Sequence, residues 1–256
     1  MRAVRLALAA VPLLAAACVT RSHRVPAPIP AAIVAAVEAP DRSAEDRALD
    51  AGRRPAELLA FFGVAPGMRV AELSAGRGYT AELLARAVGP TGTVYGHNAP
   101  AILERFAEGP WSARLATPPM RNVVRVDRPL DDPFPPEVRD LDQVWLVLFY
   151  HDTVWLGVDR DRMNRAVFAA LRPGGVYAIV DHSGRPGTGT GEAQTLHRIE
   201  EPVVRAEVKR AGFRLDASSD LLRNPADRRD WNASPRAAGD LRGTSDRFVL
   251  RFRKPG

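Results

Sequence analysis

The 256-residue chain has one cysteine, two lysines and no apolar run long enough to cross a bilayer as a mature helix. Each shortage excludes something. A single cysteine, Cys18, cannot close an internal disulfide, so the fold must hold by packing and hydrogen bonding alone. With only Lys209 and Lys254, the net charge of +6 rests on arginines spread among nearly as many acids. No basic block with interleaved aromatics occurs, so an evenly charged surface is expected in place of a nucleic-acid interface. No internal repeat breaks the chain, and 46% hydrophobic residues suffice for one core of good size.

The first residues have a separate logic. Arg2 and Arg5 precede an apolar run from Leu6 to Ala17 that ends in LLAAAC, with Cys18 directly after small residues. This resembles a bacterial lipoprotein signal, and the resemblance implies export, removal of residues 1–17 and a lipid on Cys18. Ala15 departs from the leucine usual in such signals, and ordinary cleavage after Ala15–Ala17 is the alternative. Residues 19–42, rich in Pro, Ala and Arg, read as a tether. The expected division is therefore a signal peptide over 1–18, a tether over 19–42 and one domain over 43–256. Contact with the membrane is expected only through the Cys18 anchor, in the periplasm. The sequence does not fix the oligomeric state.

Beyond residue 43, helical and strand patterns alternate. Ser43 caps a helix with Glu45 and Asp46 in its first turn, and Pro55 splits that helix in two. Strands are expected at MRVAEL, TVYGHN, NVVRVD, DQVWLVLFY, VYAIVDH, FRLDASS and RFVLRFR. The continuous apolar character of DQVWLVLFY suits a strand buried on both faces. Helices are expected at YTAELLARAV, AILERFAE, DRMNRAVFAAL and HRIEEPVVRAEVKRAG, the last interrupted near Pro202. Such alternation implies a doubly wound, mostly parallel sheet of seven strands with helices on both faces, and ligands at the carboxyl ends of the strands. The polar stretch Asp220–Asp246 is long for a loop and is expected to be functional or a substrate cover.

The first strand ends in VAELSAGRGYTAELL, a strand, a glycine-bearing turn and a helix start. Gly76 and Gly78 permit close backbone approach, and the helix N-terminus offers free N–H groups to an anion. Read alone, Gly76–Ala81 also fits a dinucleotide fingerprint. Glu72 argues against it, because a carboxylate beside a pyrophosphate is repelled, whereas a cationic amino group welcomes it.

Glu72–Tyr79 (ELSAGRGY) resembles the acidic-x-G-x-G-x-G loop of the class I, S-adenosylmethionine (SAM)-dependent methyltransferases, with Ser74 in place of the first glycine. Leu171–Gly175 (LRPGG) resembles the turn these enzymes place before their fifth strand. Stretches such as DRALDAGRRPAELLAFFGV, LFYHDTVW and RNPADRRDWNASP extend the resemblance to a group of bacterial methyltransferases, many of them exported. The resemblance implies a Rossmann-like fold and SAM as cofactor. It sets Glu72, Gly76 and Gly78 at the methionine part, Asn98 at the ribose and Asp127 at the adenine, with Ser74 and Tyr79 of the same loop also binding the cofactor. Asn98 stands where the family usually carries an acid, and His97 precedes it.

Phe149–Asp152 follows the fourth strand and Asp181–His182 the fifth, so the two His/Asp pairs are expected at one sheet edge. His151 is the expected base, since imidazole titrates near neutrality, with Asp152 and Asp181 orienting it or balancing its charge. The alternative makes Asp152 a helix cap and His182 a loop residue. No metal is expected: His151, Asp152, Asp181, His182, His197 and Glu200 lack the i, i+4 His pair or CxxC spacing of common sites. Tyr79, Trp111, Trp155 and Trp231 are candidate pocket walls or core. Arg53 and Arg54 are candidate contacts for the cofactor carboxylate or an acidic substrate.

The expected function is methyl transfer from SAM to a small-molecule or envelope acceptor. A difficulty is supply, since SAM is made in the cytoplasm and the leader points outward. The alternative is a non-catalytic, membrane-tethered ligand-binding protein on the same scaffold, favoured by Ser74 and Asn98. A nicotinamide oxidoreductase comes third.

Overall fold

Strand and helix periodicities resolve into one mixed layer of seven strands in the computed structural model, which describes residues 28–256. The strands are β1 (Arg69–Leu73), β2 (Thr93–Asn98), β3 (Val123–Asp127), β4 (Leu141–Val147), β5 (Leu171–His182), β6 (Arg214–Ser219) and β7 (Arg247–Arg253). Their order is β3-β2-β1-β4-β5-β7-β6, parallel except for β7, which runs antiparallel to both neighbours. The order in which strands are added reverses between the parallel neighbours β1 and β4, and the carboxyl ends flanking that crevice are where doubly wound sheets bind ligands.

Alternate residues of the strands face two helical layers. Val70, Trp145, Ala178 and Val180 pack against α1 (Ala31–Glu38), α3 (Pro55–Phe62) and α4 (Tyr79–Val88). Ala71, Leu73, Val144, Leu146, Tyr177 and Ile179 face α8 (Arg160–Ala170) and α9 (Glu201–Arg210). The first layer also carries α2 (Ala44–Arg53), whose cap is the expected one, with the Ser43 hydroxyl accepting from Asp46 N–H. Pro55 does divide the helix, through Arg54 held left-handed at φ 46°, so that α3 leaves at a new angle with Pro55 in its first turn.

The signal peptide, Cys18 and the beginning of the tether lie outside the described residues. The end of the tether is corrected. Residues 31–38 form α1, with Ile33 and Ala36 buried against α3 and α4, and Arg42 is held by a bidentate pair to Asp50. An alternating Ala/Ile/Val pattern buries a helical face despite the Pro-rich flanks, so the packed domain begins near residue 30.

Three further elements differ from expectation, each for a local reason. The strand at DQVWLVLFY stops at Val147, because Leu148 turns left-handed (φ 55°) while its N–H still bonds Val180 C=O. LRPGG is not a separate turn but an irregular opening of β5, whose register with β4 passes from Leu141↔Leu171 to Gln143↔Val176. The helix expected from His197 begins only at Glu201. Pro202 fits a first helical turn and disfavours helix before it, leaving His197–Glu200 outside the helix, with Ile199 bridged to Ser183. Between β2 and β3 lie α5 (Pro100–Ile102), a π-helical turn (Leu103–Ala107) and α6 (Glu108–Leu115), and between β4 and α8 the short α7 (Asp152–Trp155).

Candidate functional site

Glu72 sits one residue from the end of β1, on the face covered by α3 and α4, and is 3% exposed. Burial disfavours its charged form and pushes its pKa up to about 7, only partly offset by the Thr80 hydroxyl, Arg53 and Ala81 N–H. Its Oε2 has no hydrogen-bond partner among the described residues. A fully buried acceptor without a donor is costly and points to a ligand donor.

The turn above it keeps the shape of a glycine-rich loop although one glycine is gone. Ser74 is left-handed (φ 52°), as are Gly76 (φ 57°) and Gly78 (φ 88°). Gly78 is required twice over. A Cβ there would lie 2.6 Å from Trp111 Cζ3 and 2.8 Å from Arg114 Cδ, so the third glycine position serves packing of α4 against α6. Gly78→Ala is expected to cost about 2–4 kcal/mol, from left-handed strain and overpacking. Thermal unfolding checks this, and an unchanged midpoint would refute the packing role.

Asn98 does something other than expected. Its Oδ1 accepts from Gly76 N–H at 2.8 Å and its Nδ2 donates to Gly76 C=O at 3.1 Å, and the side chain is fully buried. The amide clamps the loop and has no polar atom turned to a ribose. That explains why an amide replaces the acid, since an ionised carboxylate could accept from Gly76 N–H but not donate to Gly76 C=O. Asn98→Asp restores the family's usual residue yet is expected to destabilise by about 1–3 kcal/mol, because Gly76 C=O loses its donor. A denaturant midpoint equal to wild type would contradict this. His97, also buried, accepts from Ser74 N–H at Nδ1 (3.4 Å) and donates from Nε2 to Arg128 C=O (2.8 Å). Burial lowers its pKa to about 4. Asp127 is on the surface, paired with Arg125 at 2.7 Å. Glu72 thus keeps an unpartnered carboxylate oxygen under its loop, whereas Asn98 and Asp127 are engaged with the protein itself.

Beside Glu72, on the same sheet face, lies a small cavity lined by Arg53, Leu58, Tyr79, Thr80, Trp145 and Arg247, among others. Arg53 stacks on the Tyr79 ring at 4.3 Å and forms no carboxylate ion pair among the described residues, so its charge faces the cavity. Tyr79 is fixed by its hydroxyl donating to Asp50 at 2.7 Å. Arg247 is 4% exposed and bonded only to the carbonyls of Gly243 and Ser245. Burial and the neighbouring Arg53 lower its pKa to about 10. Arg54 points away and pairs with Glu57.

The two His/Asp pairs do meet at one sheet edge. The left-handed Leu148 turns the chain off the sheet and delivers His151 opposite Asp181. His151 Nδ1 lies 2.7 Å from Asp181 Oδ1, and its backbone N–H donates to Asp181 Oδ2 at 2.8 Å. His151 Nε2 faces Asp152 Oδ1 and His197 Nδ1, both at 3.2 Å. Burial would lower the His151 pKa, but Asp181 and Asp152 more than compensate and raise it to about 10. Asp152 accepts from Trp155 Nε1 and is the first residue of α7, not its cap. His182 turns to Ser245 Oγ at 2.7 Å, and Glu200 accepts from the N–H groups of Gly187 and Gly189 outside the cluster. Trp111 is core, Trp155 flanks His197, and Trp231 stacks on Arg198.

His197 was only one of six candidates in the sequence, and its place is set by its neighbours. Arg198 is fully buried and bonded to Asp227 at 2.8 and 3.3 Å, while Ile199 N–H donates to His182 C=O. These two anchors hold His197 left-handed (φ 51°) with its ring over His151. The long 220–246 segment is therefore a strap. Asp227 also accepts from Asp246 N–H, and Arg223 and Arg229 pair with Asp246.

No protein-family model matches this chain, and no curated protein does. Solved structures resemble it at low identity. A SAM-dependent methyltransferase from Aquifex aeolicus superposes with a TM-score of 0.56 at 16% identity, covering 77% of this chain and 87% of that one. An arsenic(III) S-adenosylmethionine methyltransferase from Chlamydomonas reinhardtii gives 0.54 at 18%, covering 90% and 75%. The [4+2]-cyclase SpnF gives 0.54 at 16%, covering 83% and 82%. The chain has the Rossmann-like fold of the class I methyltransferases. The cyclase among its likenesses shows that this fold alone does not decide the reaction.

Proposed function

We propose that this chain is a SAM-dependent methyltransferase acting on a small-molecule acceptor. The observation that carries the reading is the buried Glu72, whose unpartnered Oε2 lies under a Ser74–Gly76–Gly78 loop of the right shape. An ammonium group answers that atom with both charge and a donor, which a pyrophosphate cannot do. The chemistry supplied by the cofactor is a transferable methyl group on a sulfonium centre. The chain's own part is positioning: Asn98 fixes the loop, Glu72 takes the amino group, and Arg53 at the cavity wall offers its charge to a carboxylate. On the acceptor side stand His151, Asp152 and Asp181, with Nε2 the one His151 ring atom left free of Asp181.

Calorimetry of the purified chain with SAM, S-adenosylhomocysteine and NADH tests the reading. The first two are expected to bind and NADH is not. Absence of binding by both SAM and S-adenosylhomocysteine at millimolar concentration would overturn it. Export and anchoring through Cys18 belong to the same proposal. They rest on the LLAAAC leader, and an intact mass matching a lipidated Cys18 N-terminus supports them, whereas an uncleaved Met1 chain from the native host contradicts them.

A further inference from the structure

Around His197, three ligand-type atoms from separate chain positions converge. His151 Nε2, Asp152 Oδ1 and His197 Nδ1 form a nearly equilateral triangle with sides of 3.2, 3.2 and 3.1 Å. A divalent ion ~2.1 Å from each atom would subtend ligand–metal–ligand angles of about 98°, between octahedral and tetrahedral values. Two imidazoles and one carboxylate on one face, with the remaining positions open, is a set suited to Zn²⁺ or Fe²⁺ and not to Mg²⁺ or Ca²⁺.

The surroundings are those of a prepared ligand. Asp181 takes the Nδ1 side of His151, which directs Nε2 inward, and Asp181 is itself held by the N–H groups of His151 and His182. A carboxylate behind a ligating imidazole orients the ring and raises its basicity. Asp152 is oriented by Trp155 Nε1 at 2.8 Å. His197 is the only member with a left-handed backbone, and the buried Arg198–Asp227 pair beside it sustains that conformation. Strain kept by so much supporting structure is a mark of a functional position. His197 and Asp152 are partly exposed, so the open side of the triangle faces solvent.

We propose that His151, Asp152 and His197 bind one divalent transition-metal ion of the Zn²⁺/Fe²⁺ type, with Asp181 as the positioning residue behind His151. In this assignment His151 is a ligand, and a water or an acceptor oxygen takes the open positions. The ligands stand on the acceptor side of the proposed methyltransferase site, but metal binding is separable from SAM binding, because none of these atoms belongs to the Glu72 loop.

The test is titration of the full chain, freed of any histidine tag and chelator-treated, with Zn²⁺ by calorimetry and with Co²⁺ by visible absorption. One equivalent is expected to bind with a dissociation constant below micromolar, with Co²⁺ giving ligand-field bands. His197→Ala and Asp152→Asn are each expected to weaken binding at least 100-fold while circular dichroism stays that of wild type. These two are chosen because removing His151 would strand the buried Asp181. Absence of stoichiometric Zn²⁺ and Co²⁺ binding in the folded wild type overturns the proposal, as does binding that survives both substitutions. Loss of SAM binding with metal binding intact would fault the methyltransferase reading alone.

Discussion

Glu72→Gln is expected to move ligand affinity and stability in opposite directions. Affinity for SAM and S-adenosylhomocysteine falls by roughly 30-fold to a few thousand-fold, the ordinary consequence of removing one partner of a buried charge pair. Stability without ligand rises. The folded-state pKa of Glu72 is about 7, above its ordinary value of 4.5, so the native chain holds the proton more tightly than the unfolded one. The contribution of the protonated group is fully present below pH 4.5 and is lost as pH rises through 7. By pH 8 the wild type carries a penalty of roughly 3 kcal/mol that glutamine escapes. Denaturation of both proteins at pH 5 and pH 8 checks the sign: the gap is under about 1 kcal/mol at the lower pH and grows to roughly 3 kcal/mol at the higher. Glutamine that leaves affinity and the pH-dependence of stability unchanged would remove Glu72 from the site.

Asp227→Ala is expected to cost about 3–5 kcal/mol, because it leaves the fully buried Arg198 guanidinium without its carboxylate. For a chain of this length that lowers the unfolding midpoint by roughly 6–15 °C. The loss reaches further than stability. Asp227 also accepts from Arg229 N–H, Asp246 N–H and Trp231 Nε1, so the whole strap loses its anchor. Hydrogen exchange is expected to rise across 224–246 and at His197–Ile199, with β1 and β4 unaffected. Asp227→Ala with wild-type exchange in the strap would show that Arg198 is held by other contacts.

Legibility in the sequence divided along physical lines. The strand carrying Glu72, the Ser43 cap, the break at Pro55 and the strand-helix alternation rest on local chemistry and short periods, and all are found in the structure. Features set by distant partners were not readable. Asn98 was placed at the ribose by its position in a motif, but its amide is taken by Gly76, twenty-two residues earlier. His197 falls within a helical pattern, yet Pro202 and the Ile199–Ser183 bridge keep it out of the helix in a left-handed conformation, and only there does it meet His151. The metal-type triangle escapes spacing rules because its two histidines are forty-six residues apart. One signal was available: a histidine next to an arginine and a β-branched residue just before a helix-starting Pro is poised to leave the helix. The helix at 31–38 was hidden by flanking prolines, although its Ile33 and Ala36 already showed helical spacing.

The claim that Glu72 meets the amino group of SAM makes a prediction about protons as well as affinity. At pH 6.5 a group with a pKa of about 7 is mostly protonated, and an ammonium ligand binds its ionised form. Calorimetry of SAM binding at that pH, in buffers of different ionisation enthalpy, is expected to report release of up to about 0.7 proton per site, and none in Glu72→Gln. SAM binding to the wild type without proton release, or with the same release in both proteins, would contradict the assignment of this carboxylate to the cofactor.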